Sequence, residues 1–309
     1  MKKIKVIFVI FCIIVIGVFS SIPPLIMGDL VNTRMDVEVY DLNKYGLEAE
    51  SITLTTEDDL SIAAWEVKTE EPKAIVILLS GIQNPSVTAF GGYSKMLKDN
   101  EYASLLIEMR AHGDSEGDRV SLGMEEYLDV KAGIEYIKSS ESYSGVPIVV
   151  WGTSMGATTA INAVGQIPEI DGLISCSAYS SWADVFYDTL INMGAPPFIA
   201  AIEKPFVNVY VGSKYGFDKL KINPLDEIEK LNGRPALIAH SKGDSQVPFA
   251  SFERLIDKVG EENVQVFTRD GDEHFICYDA YFENPIEDVE FSTAILTFLD
   301  GSFTGRESQ

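Results

Sequence analysis

Residues 147–160 read PIVVWGTSMGATTA, an apolar run that stops at a glycine and continues into small residues. The first five residues are typical of a β-strand and the last ones of a helix, with Ser154 at the apex of a sharp turn between them. Such a turn strains and crowds the serine backbone, so the flanking positions must be small, as Gly152 and Gly156 are. The Ser154 hydroxyl then projects from the sheet, and the amide of Met155, at a helix start, can donate to a developing oxyanion.

A second stretch fits the same G-x-S-x-G pattern, since residues 113–117 read GDSEG. Glu116 would place a carboxylate where an oxyanion must be stabilised, and polar residues 118–119 follow instead of a helix. We therefore predict Ser154, and not Ser115, as the nucleophile.

The composition is that of one large globular domain. The 309 residues are 46% apolar, enough to bury a full-sized core, and the formal net charge is −23. This charge argues against nucleic acid or an anionic membrane surface as a partner, because phosphates would be repelled. The sequence has no internal repeats or low-complexity tracts, which argues against a solenoid or a disordered scaffold. The oligomeric state is left open.

The N-terminus carries three lysines and then 23 uncharged residues, 6–28. This length spans a bilayer, and the lysines favour a cytoplasmic N-terminus with the remainder outside. We predict residues 1–28 as an uncleaved single-pass anchor. The alternative is a signal peptide with residues 6–19 as its apolar core and a secreted domain, although no clear A-x-A cleavage site follows.

The three cysteines do not form a metal-binding pattern. Cys12 lies in the apolar N-terminal segment, and we predict Cys176 and Cys277 as buried free thiols. The sequence has no C-x-x-C pair and no H-E-x-x-H motif, so it supports neither a metal site nor a cofactor.

The remaining chain alternates between apolar runs and helical patterns, which predicts the α/β class with a doubly wound, mostly parallel sheet. Residues 51–55 and 60–67 predict an opening β-hairpin. The other predicted strands are residues 74–79, 102–108, 147–151, 171–175, 235–240 and 264–268, and the predicted helices are residues 93–100, 124–139, 157–164, 249–259 and 288–299.

About forty residues, 179–223, are rich in aromatic residues and proline and show no strand alternation. Inserted stretches of this kind are often lids, so we predict a cap here. The predicted organisation is therefore an anchor, a connector (residues 29–50), one domain that carries the cap (residues 51–300) and a tail (residues 301–309).

A loop that begins SGIQNP at Ser80 follows the predicted strand 74–79. Ligands bind at the carboxyl ends of parallel strands in α/β sheets, so the Ile82 amide is a candidate for the second oxyanion donor. An ordinary turn is the alternative.

A serine hydroxyl needs a base to take its proton, and histidine suits that task near neutral pH. The chain has only His112, His240 and His274. His274 follows the last predicted strand, in a loop that can fold back toward Ser154, so we predict His274 as the base. We interpret His112 and His240 as packed loop residues.

An acid must orient the imidazole of the base. Asp244 follows the predicted strand 235–240 at the same sheet edge, which favours it. Asp272 is the rival, but it lies two residues from His274 and would more easily cap its own turn than reach the ring.

Over residues 51–299 the chain resembles an α/β-hydrolase fold serine hydrolase. It is similar to the serine aminopeptidase and monoacylglycerol lipase-like group and to the membrane-anchored Bem46-like hydrolases. The order of Ser154, Asp244 and His274 matches the nucleophile-acid-base order of that fold. The matching motifs are residues 152–156 (GTSMG), 110–115 (RAHGDS) and 237–244 (LIAHSKGD), with Val247-Pro248 and His274-Phe275.

The resemblance implies Ser154 as nucleophile, Asp244 as acid and His274 as base. It also implies an oxyanion hole made by the amides of Ile82 and Met155, beneath a cap. The expected activity is the hydrolysis of carboxylic esters through an acyl-enzyme, with neither a metal ion nor an organic cofactor.

The sequence departs from the family pattern at two positions. Ser80 stands where relatives often have histidine, and Glu108 replaces a common aspartate before the arginine of the RAHGDS motif. The first departure affects the detailed geometry of the loop that carries Ile82.

Apolar cap residues favour an apolar acyl chain or lipid-like ester as the small-molecule substrate. We predict Trp182, Phe186 and Leu190 as substrate contacts, together with Met193 and Phe198. The alternative is that these residues pack the cap on the domain.

Two other functions are open. In an aminopeptidase-like amide hydrolase, Asp184 or Glu203 of the cap could recognise an α-amino group. A membrane-tethered binding scaffold without turnover is the second, although the intact set of Ser154, Asp244 and His274 speaks against it.

Overall fold

The computed structural model describes residues 2–82 and 85–304. The apolar runs of the sequence form one open sheet of eight strands in the order β1-β2-β4-β3-β5-β6-β7-β8. The strands are β1 (Ala49–Thr55), β2 (Ser61–Val67), β3 (Ile75–Leu79), β4 (Ala103–Ile107), β5 (Ile148–Thr153), β6 (Gly172–Cys176), β7 (Ala236–Ser241) and β8 (Gln265–Arg269).

The predicted opening hairpin is confirmed, because β1 pairs with β2 in antiparallel register. Strand β2 also runs antiparallel to β4. The remaining neighbouring pairs are all parallel: β4 with β3, β3 with β5, β5 with β6, β6 with β7 and β7 with β8. The carboxyl ends of β3, β5, β6, β7 and β8 therefore meet at one edge of the sheet, where the loops of an α/β protein bind ligands.

Helices cover both faces of the sheet. Ile75 and Ile77 of β3 belong to one apolar layer, with the helices over residues 127–139, 155–166 and 250–259. Val76 and Leu78 belong to the other layer, with the helices over residues 91–99 and 289–303. A central strand buried on both faces is apolar throughout, which explains the uninterrupted run. In the described residues the α-helices are α1 (Lys2–Val31), α2 (Gly91–Asp99), α3 (Tyr127–Ser139), α4 (Met155–Gln166), α5 (Trp182–Asn192), α6 (Pro197–Tyr215), α7 (Pro224–Glu227), α8 (Ala250–Val259) and α9 (Val289–Phe303).

The closing helix α9 runs four residues beyond its predicted end at Leu299 and includes the first part of the predicted tail. Phe303 is buried, and a Cβ at Gly172 would lie 2.5 Å from its ring, so the last turn of α9 packs against the start of β6. Residues 301–303 of the predicted tail therefore belong to α9, and residues 305–309 lie outside the described part.

The predicted cap contains two helices, α5 and α6, which follow β6 and precede β7 in the chain and pack against each other.

Helix α1 is long and apolar enough to cross a membrane, a property that a signal sequence shares. It ends at Val31, three residues past the predicted anchor, and Met27 and Val31 are buried in the core of the domain. Nearer the N-terminus of α1, Phe19 stacks on Phe206 of α6 with ring centroids 5.7 Å apart.

The predicted connector is laid against the domain. Met35 forms a short parallel bridge with His112, its amide donating to the Ala111 carbonyl at 2.7 Å. The amide of Tyr40 donates to Thr88 Oγ1 at 2.8 Å. Because of these bonds, the segment between α1 and β1 is part of the folded structure.

The cysteine prediction is confirmed, since Cys176 and Cys277 are both free and buried. Burial raises the pKa of each thiol to about 12. Both side chains therefore stay protonated at neutral pH and act as small apolar groups in the core.

Candidate active site

The turn around Ser154 has the predicted strand-turn-helix geometry. Strand β5 ends at Thr153, Ser154 adopts φ 57° and ψ −120°, and α4 begins at Met155. A Cβ at Gly152 would overlap the Gly156 carbonyl, and one at Gly156 would lie 2.5 Å from the Leu79 carbonyl oxygen at the end of β3. The close approach of three backbone segments therefore requires glycine at both flanking positions.

We expect Gly152→Ala to lower the free energy of unfolding by about 3 kcal/mol or more, because the added methyl group meets backbone that cannot move aside cheaply. Chemical denaturation of the full chain in detergent measures this loss. Gly301→Ala is the matched control, because Gly301 lies in α9 with nothing near its Cβ position, and alanine there should add about 0.5 kcal/mol. Equal stability of Gly152→Ala and the parent protein would contradict the expectation.

The two backbone amides predicted to bind an oxyanion belong to Met155 and Ile82. Within residues 2–82 and 85–304, no hydrogen-bond acceptor is found for the amide of Met155 or of Ile82. Met155 opens α4, so its amide lies at the positive end of a helix. The loop that carries Ile82 passes beside Ser154, since a Cβ at Gly81 would lie 3.3 Å from Ser154 Cβ and 3.7 Å from its Oγ.

The far end of that loop is tied to the sheet by Glu108, which follows β4. The hydroxyl of Ser86 donates to Glu108 Oε2, and the Val87 amide donates to Oε1 at 3.4 Å. Burial raises the pKa of Glu108 to about 7, against the lowering effect of these two hydrogen bonds. The glutamate that replaces the family's usual aspartate is thus the residue that accepts the hydrogen bond from Ser86.

The raised pKa makes stability depend on pH. Between about pH 4.5 and pH 7 an unfolded chain loses the Glu108 proton while the folded protein keeps it. The stabilising contribution is complete below pH 4.5 and is lost as the pH rises through 7, by about 3 kcal/mol in total. We expect Glu108→Gln to remove that part of the pH dependence. Urea denaturation at pH 5 and pH 8 measures the difference, with exposed Glu135→Gln as a control for the loss of one carboxylate.

The structure brings His274 and Asp244 together. The Nδ1 of His274 donates to Asp244 Oδ2 at 2.8 Å, and both side chains are buried. Asp244 Oδ1 accepts from the amides of Gln246 and Val247, each at 2.9 Å. Burial alone would raise the pKa of the Asp244 carboxyl, but the hydrogen bond and charge of His274 outweigh it and hold the pKa below its usual value. The carboxylate is therefore ionised at neutral pH and fixes the His274 ring.

Hydrogen bonds connect the loops of Ser154 and His274 at the carboxyl edge of the sheet. The amide of Ser154 donates to the Cys176 carbonyl at 2.8 Å, and the next residue, Ser177, donates its hydroxyl to the His274 carbonyl at 2.6 Å. The end of β6 thus lies between the two loops and fixes both of them. Ser177 has φ 58°, an uncommon conformation for a residue other than glycine.

The other two histidines are buried and have packing contacts. His240 Nε2 donates to the Val247 carbonyl at 2.8 Å, and its ring packs edge-on against Phe249. It also approaches Asp244 Oδ2 at 3.5 Å, which the sequence did not indicate. Burial lowers the pKa of both His240 and His112. Both rings are packed as predicted, but His240 lies in β7 and not in a loop.

The RAHGDS turn is buried and is held by ion pairs and hydrogen bonds. Arg110 pairs with Asp129 and Asp58, each at 2.8 Å, and its carbonyl lies 2.9 Å from Nδ1 of His112. Ser115 is fully buried, donates to the Glu108 carbonyl and accepts from the Ala63 amide at 2.9 Å. These bonds occupy the hydroxyl of the second G-x-S-x-G stretch.

Three of the five cap residues predicted to contact substrate lie in the core. Trp182, Phe186 and Leu190 are buried between α5 and the domain, and the Trp182 indole donates to the Ser121 carbonyl at 3.1 Å. Met193 and Phe198, by contrast, are exposed. Trp182, Phe186 and Leu190 therefore pack the cap on the domain, which was the alternative to substrate contact. Their contact with substrate stays a prediction.

Sequence reasoning missed two residues that position the site. Gly81 lies directly against Ser154, and Ser177 fixes the backbone of His274. The sequence signals that could have identified them were a glycine after the first parallel strand, Gly81, and a serine just after β6, Ser177. Neither residue type at those places is specific enough to be singled out without the fold.

Comparisons with known proteins agree with this architecture. The family model described as "Serine aminopeptidase, S33" matches residues 70–224. The uncharacterized protein YqkD of Bacillus subtilis is 26% identical over 190 residues, which are 60% of this chain and 60% of that protein. The uncharacterized membrane protein YNL320W of Saccharomyces cerevisiae is 26% identical over 135 residues, 42% of this chain and 45% of that protein. The matches thus span less than two thirds of these relatives.

Among solved structures, the esterase Pf2001 of Pyrococcus furiosus superposes with a TM-score of 0.68 at 22% sequence identity. The superposition covers 88% of this chain and 100% of that one, and it shows a shared fold. Since the family model matches half of the sequence, the chain belongs to the serine aminopeptidase S33 family of α/β-hydrolases.

Proposed function

We propose that the protein is a serine hydrolase that cleaves carboxylic esters through an acyl-enzyme on Ser154. The observation that carries this proposal is the buried His274–Asp244 pair, whose loop is bonded to the same sheet edge as the strained Ser154 turn. The free amides of Ile82 and Met155 support it, because a tetrahedral intermediate needs donors at that place. The proposed chemistry requires neither a metal ion nor an organic cofactor.

In the acylation step, Ser154 Oγ attacks the ester carbonyl carbon while His274 Nε2 takes the hydroxyl proton. The carbonyl oxygen becomes negatively charged and accepts hydrogen bonds from the two free amides. Asp244 keeps the proton on Nδ1, so Nε2 has the lone pair that this step needs, and it stabilises the imidazolium that forms. The alcohol leaves with the proton from His274.

In the deacylation step, a water molecule attacks the acyl-enzyme in the same manner. His274 takes a proton from the water and returns it to Ser154 Oγ as the acyl group leaves as a carboxylic acid. The chain is thus restored to its starting protonation state. Each oxyanion amide contributes on the order of 10²-fold to 10³-fold in rate.

The cap favours an ester over a peptide N-terminus as the substrate. An exopeptidase needs a free acid for the substrate's α-amino group, and Asp184 is already bound to Lys204 at 2.6 Å and to Ser181 at 2.7 Å. Glu203 is completely buried within the cap. Neither of the two candidate acids is thus presented as an amine receptor.

A fluorophosphonate probe followed by peptide mapping tests the nucleophile, and p-nitrophenyl acyl esters compared with aminoacyl p-nitroanilides test the leaving group. We expect stoichiometric labelling at Ser154 and turnover of the esters, with the anilides much slower. Labelling elsewhere, or no labelling of folded protein, would contradict the serine hydrolase and favour a binding scaffold. Faster cleavage of the anilides would favour the aminopeptidase-like amide hydrolase.

We further propose that α1 stays attached as a membrane anchor with its lysines in the cytoplasm, which places the domain outside. The burial of Met27 and Val31 supports retention, because cleavage after α1 would remove two core side chains. Protease added to intact cells should then digest the domain. Protection of the domain until the cells are lysed would overturn this orientation.

A further inference from the structure

An exposed apolar face runs along the cap helix α6. Phe198, Ile202, Pro205 and Val209 are spaced by four, three and four residues, so they lie on one side of the helix. All four are exposed, Phe198 to 65% and Val209 to 58%. We call these four residues the α6 stripe. An apolar face of this kind on a soluble surface needs an occupant.

The α6 stripe borders the contact between α6 and α1. Phe206 follows Pro205 in α6, and its ring stacks on Phe19 with centroids 5.7 Å apart. Beyond this contact, most of the apolar side chains of α1 between Ile4 and Val18 are themselves exposed. The stripe is therefore continuous with the apolar surface of the N-terminal helix, which is the segment long enough to lie in a bilayer.

The position of Phe19 sets the depth of this contact. Lys5 and Asp29 bound the uncharged stretch of α1, about 36 Å apart along the helix axis, and the hydrocarbon core is about 30 Å thick. Phe19 lies ten residues from Asp29, or about 15 Å. A hydrocarbon layer that excludes both charges begins within about 6 Å of Asp29 and therefore covers the level of Phe19 by about 9–15 Å. The shallow end of this range is the depth of about 5–10 Å that interfacial amphipathic helices reach.

The charges of α6 fit such a surrounding. The charged side chains of α6 are Glu203, Lys204 and Lys214, and Lys214 lies in the last turn, where its Nζ donates to Asn32 Oδ1. Lys204 is bound to Asp184, and Glu203 is fully buried, where burial raises its pKa. Glu203 is already out of water before the stripe enters an apolar medium, and Lys204, whose side chain is 36% exposed, is already paired with Asp184.

We propose that α6 is an interfacial helix whose stripe contacts the acyl chains of the bilayer that α1 crosses. The partner is thus a lipid surface, and the cap is in contact with it. The net charge of −23 is no obstacle, because the contact is made by apolar side chains and not by phosphate-binding groups.

Tryptophan fluorescence of the full chain in phosphatidylcholine vesicles tests this contact. Val209→Trp reports on the stripe, and Val289→Trp is the matched control, because Val289 is also exposed, at 70% against 58% for Val209, but lies at the start of α9. The signal of the three native tryptophans is subtracted with the parent protein. We expect lipids brominated on the acyl chain to quench the added emission of Val209→Trp by about twofold or more and to leave Val289→Trp unchanged.

Three outcomes would overturn the proposal. The first is quenching that is absent or equal at the two positions. The second is blue-shifted but unquenched emission from Val209→Trp, which would mean that a second copy of the chain covers the stripe. The third is a full chain that does not float with the vesicles, since α1 would then not lie in the bilayer.

Discussion

We expect Ser154→Ala to lower the turnover of a carboxylic ester by about 10⁴-fold or more, because the proposed mechanism depends on the Ser154 hydroxyl as the nucleophile. The fold should be unaffected, since the Ser154 hydroxyl takes part in no hydrogen bond with the described residues. Steady-state kinetics with a p-nitrophenyl ester and thermal unfolding of the same preparation measure both effects.

The second serine of the G-x-S-x-G pattern provides the control. Ser115→Ala should lower stability by about 1–3 kcal/mol, because the Ala63 amide and Glu108 carbonyl lose a buried partner. Its activity per folded molecule should stay near that of the parent protein. If Ser115→Ala abolished turnover while Ser154→Ala preserved it, the assignment of the nucleophile would be wrong.

We expect Asp244→Asn to lower the turnover by about 10⁴-fold through the tautomer of His274. The amides of Gln246 and Val247 donate to Oδ1, so an asparagine there presents its carbonyl oxygen to them and its NH₂ group to His274. The Nδ1 atom must then accept, which moves the ring proton to Nε2 and removes the lone pair that takes the serine proton. Shape and packing are preserved, so KM should change much less than kcat.

Asp272→Asn is the matched control because Asp272 is the rival acid. It accepts from the amide of Ser245 at 2.7 Å and from the Ser245 hydroxyl at 3.1 Å, at the surface. We expect its kcat to stay within about threefold of the parent value. A loss as large as that of Asp244→Asn would show that the acid was assigned to the wrong residue.

The central strands were predictable because they are buried on both faces. The predictions for β3, β5 and β7 fall within two residues of the structure, since an apolar run with polar ends allows few other readings. Helix ends were less accurate. Helix α4 begins at Met155, two residues before its predicted start, because the strained Ser154 turn passes straight into the helix.

The candidate site was predictable where chain order fixes it and not where it depends on distant partners. Parallel strands bring the ends of β5 and β7 and the loop after β8 to one edge, so Ser154, Asp244 and His274 could be selected by position. The bond between Ser86 and Glu108 and the ion pair between Asp184 and Lys204 join residues about twenty positions apart in acidic or polar surroundings. No sequence pattern distinguishes those partners from the solvated charges around them.

The segment that joins α1 to β1 fixes the position of the domain relative to α1. Seventeen flexible residues would let the domain wander by about 23 Å from the end of α1. Here Met35 and Tyr40 are bonded to the domain and Val31 is buried in it, so that freedom is absent. In the proposed anchored form the domain therefore follows the tilt of α1, and a change in bilayer thickness is expected to raise, lower or rotate the Ser154 edge of the sheet relative to the lipids.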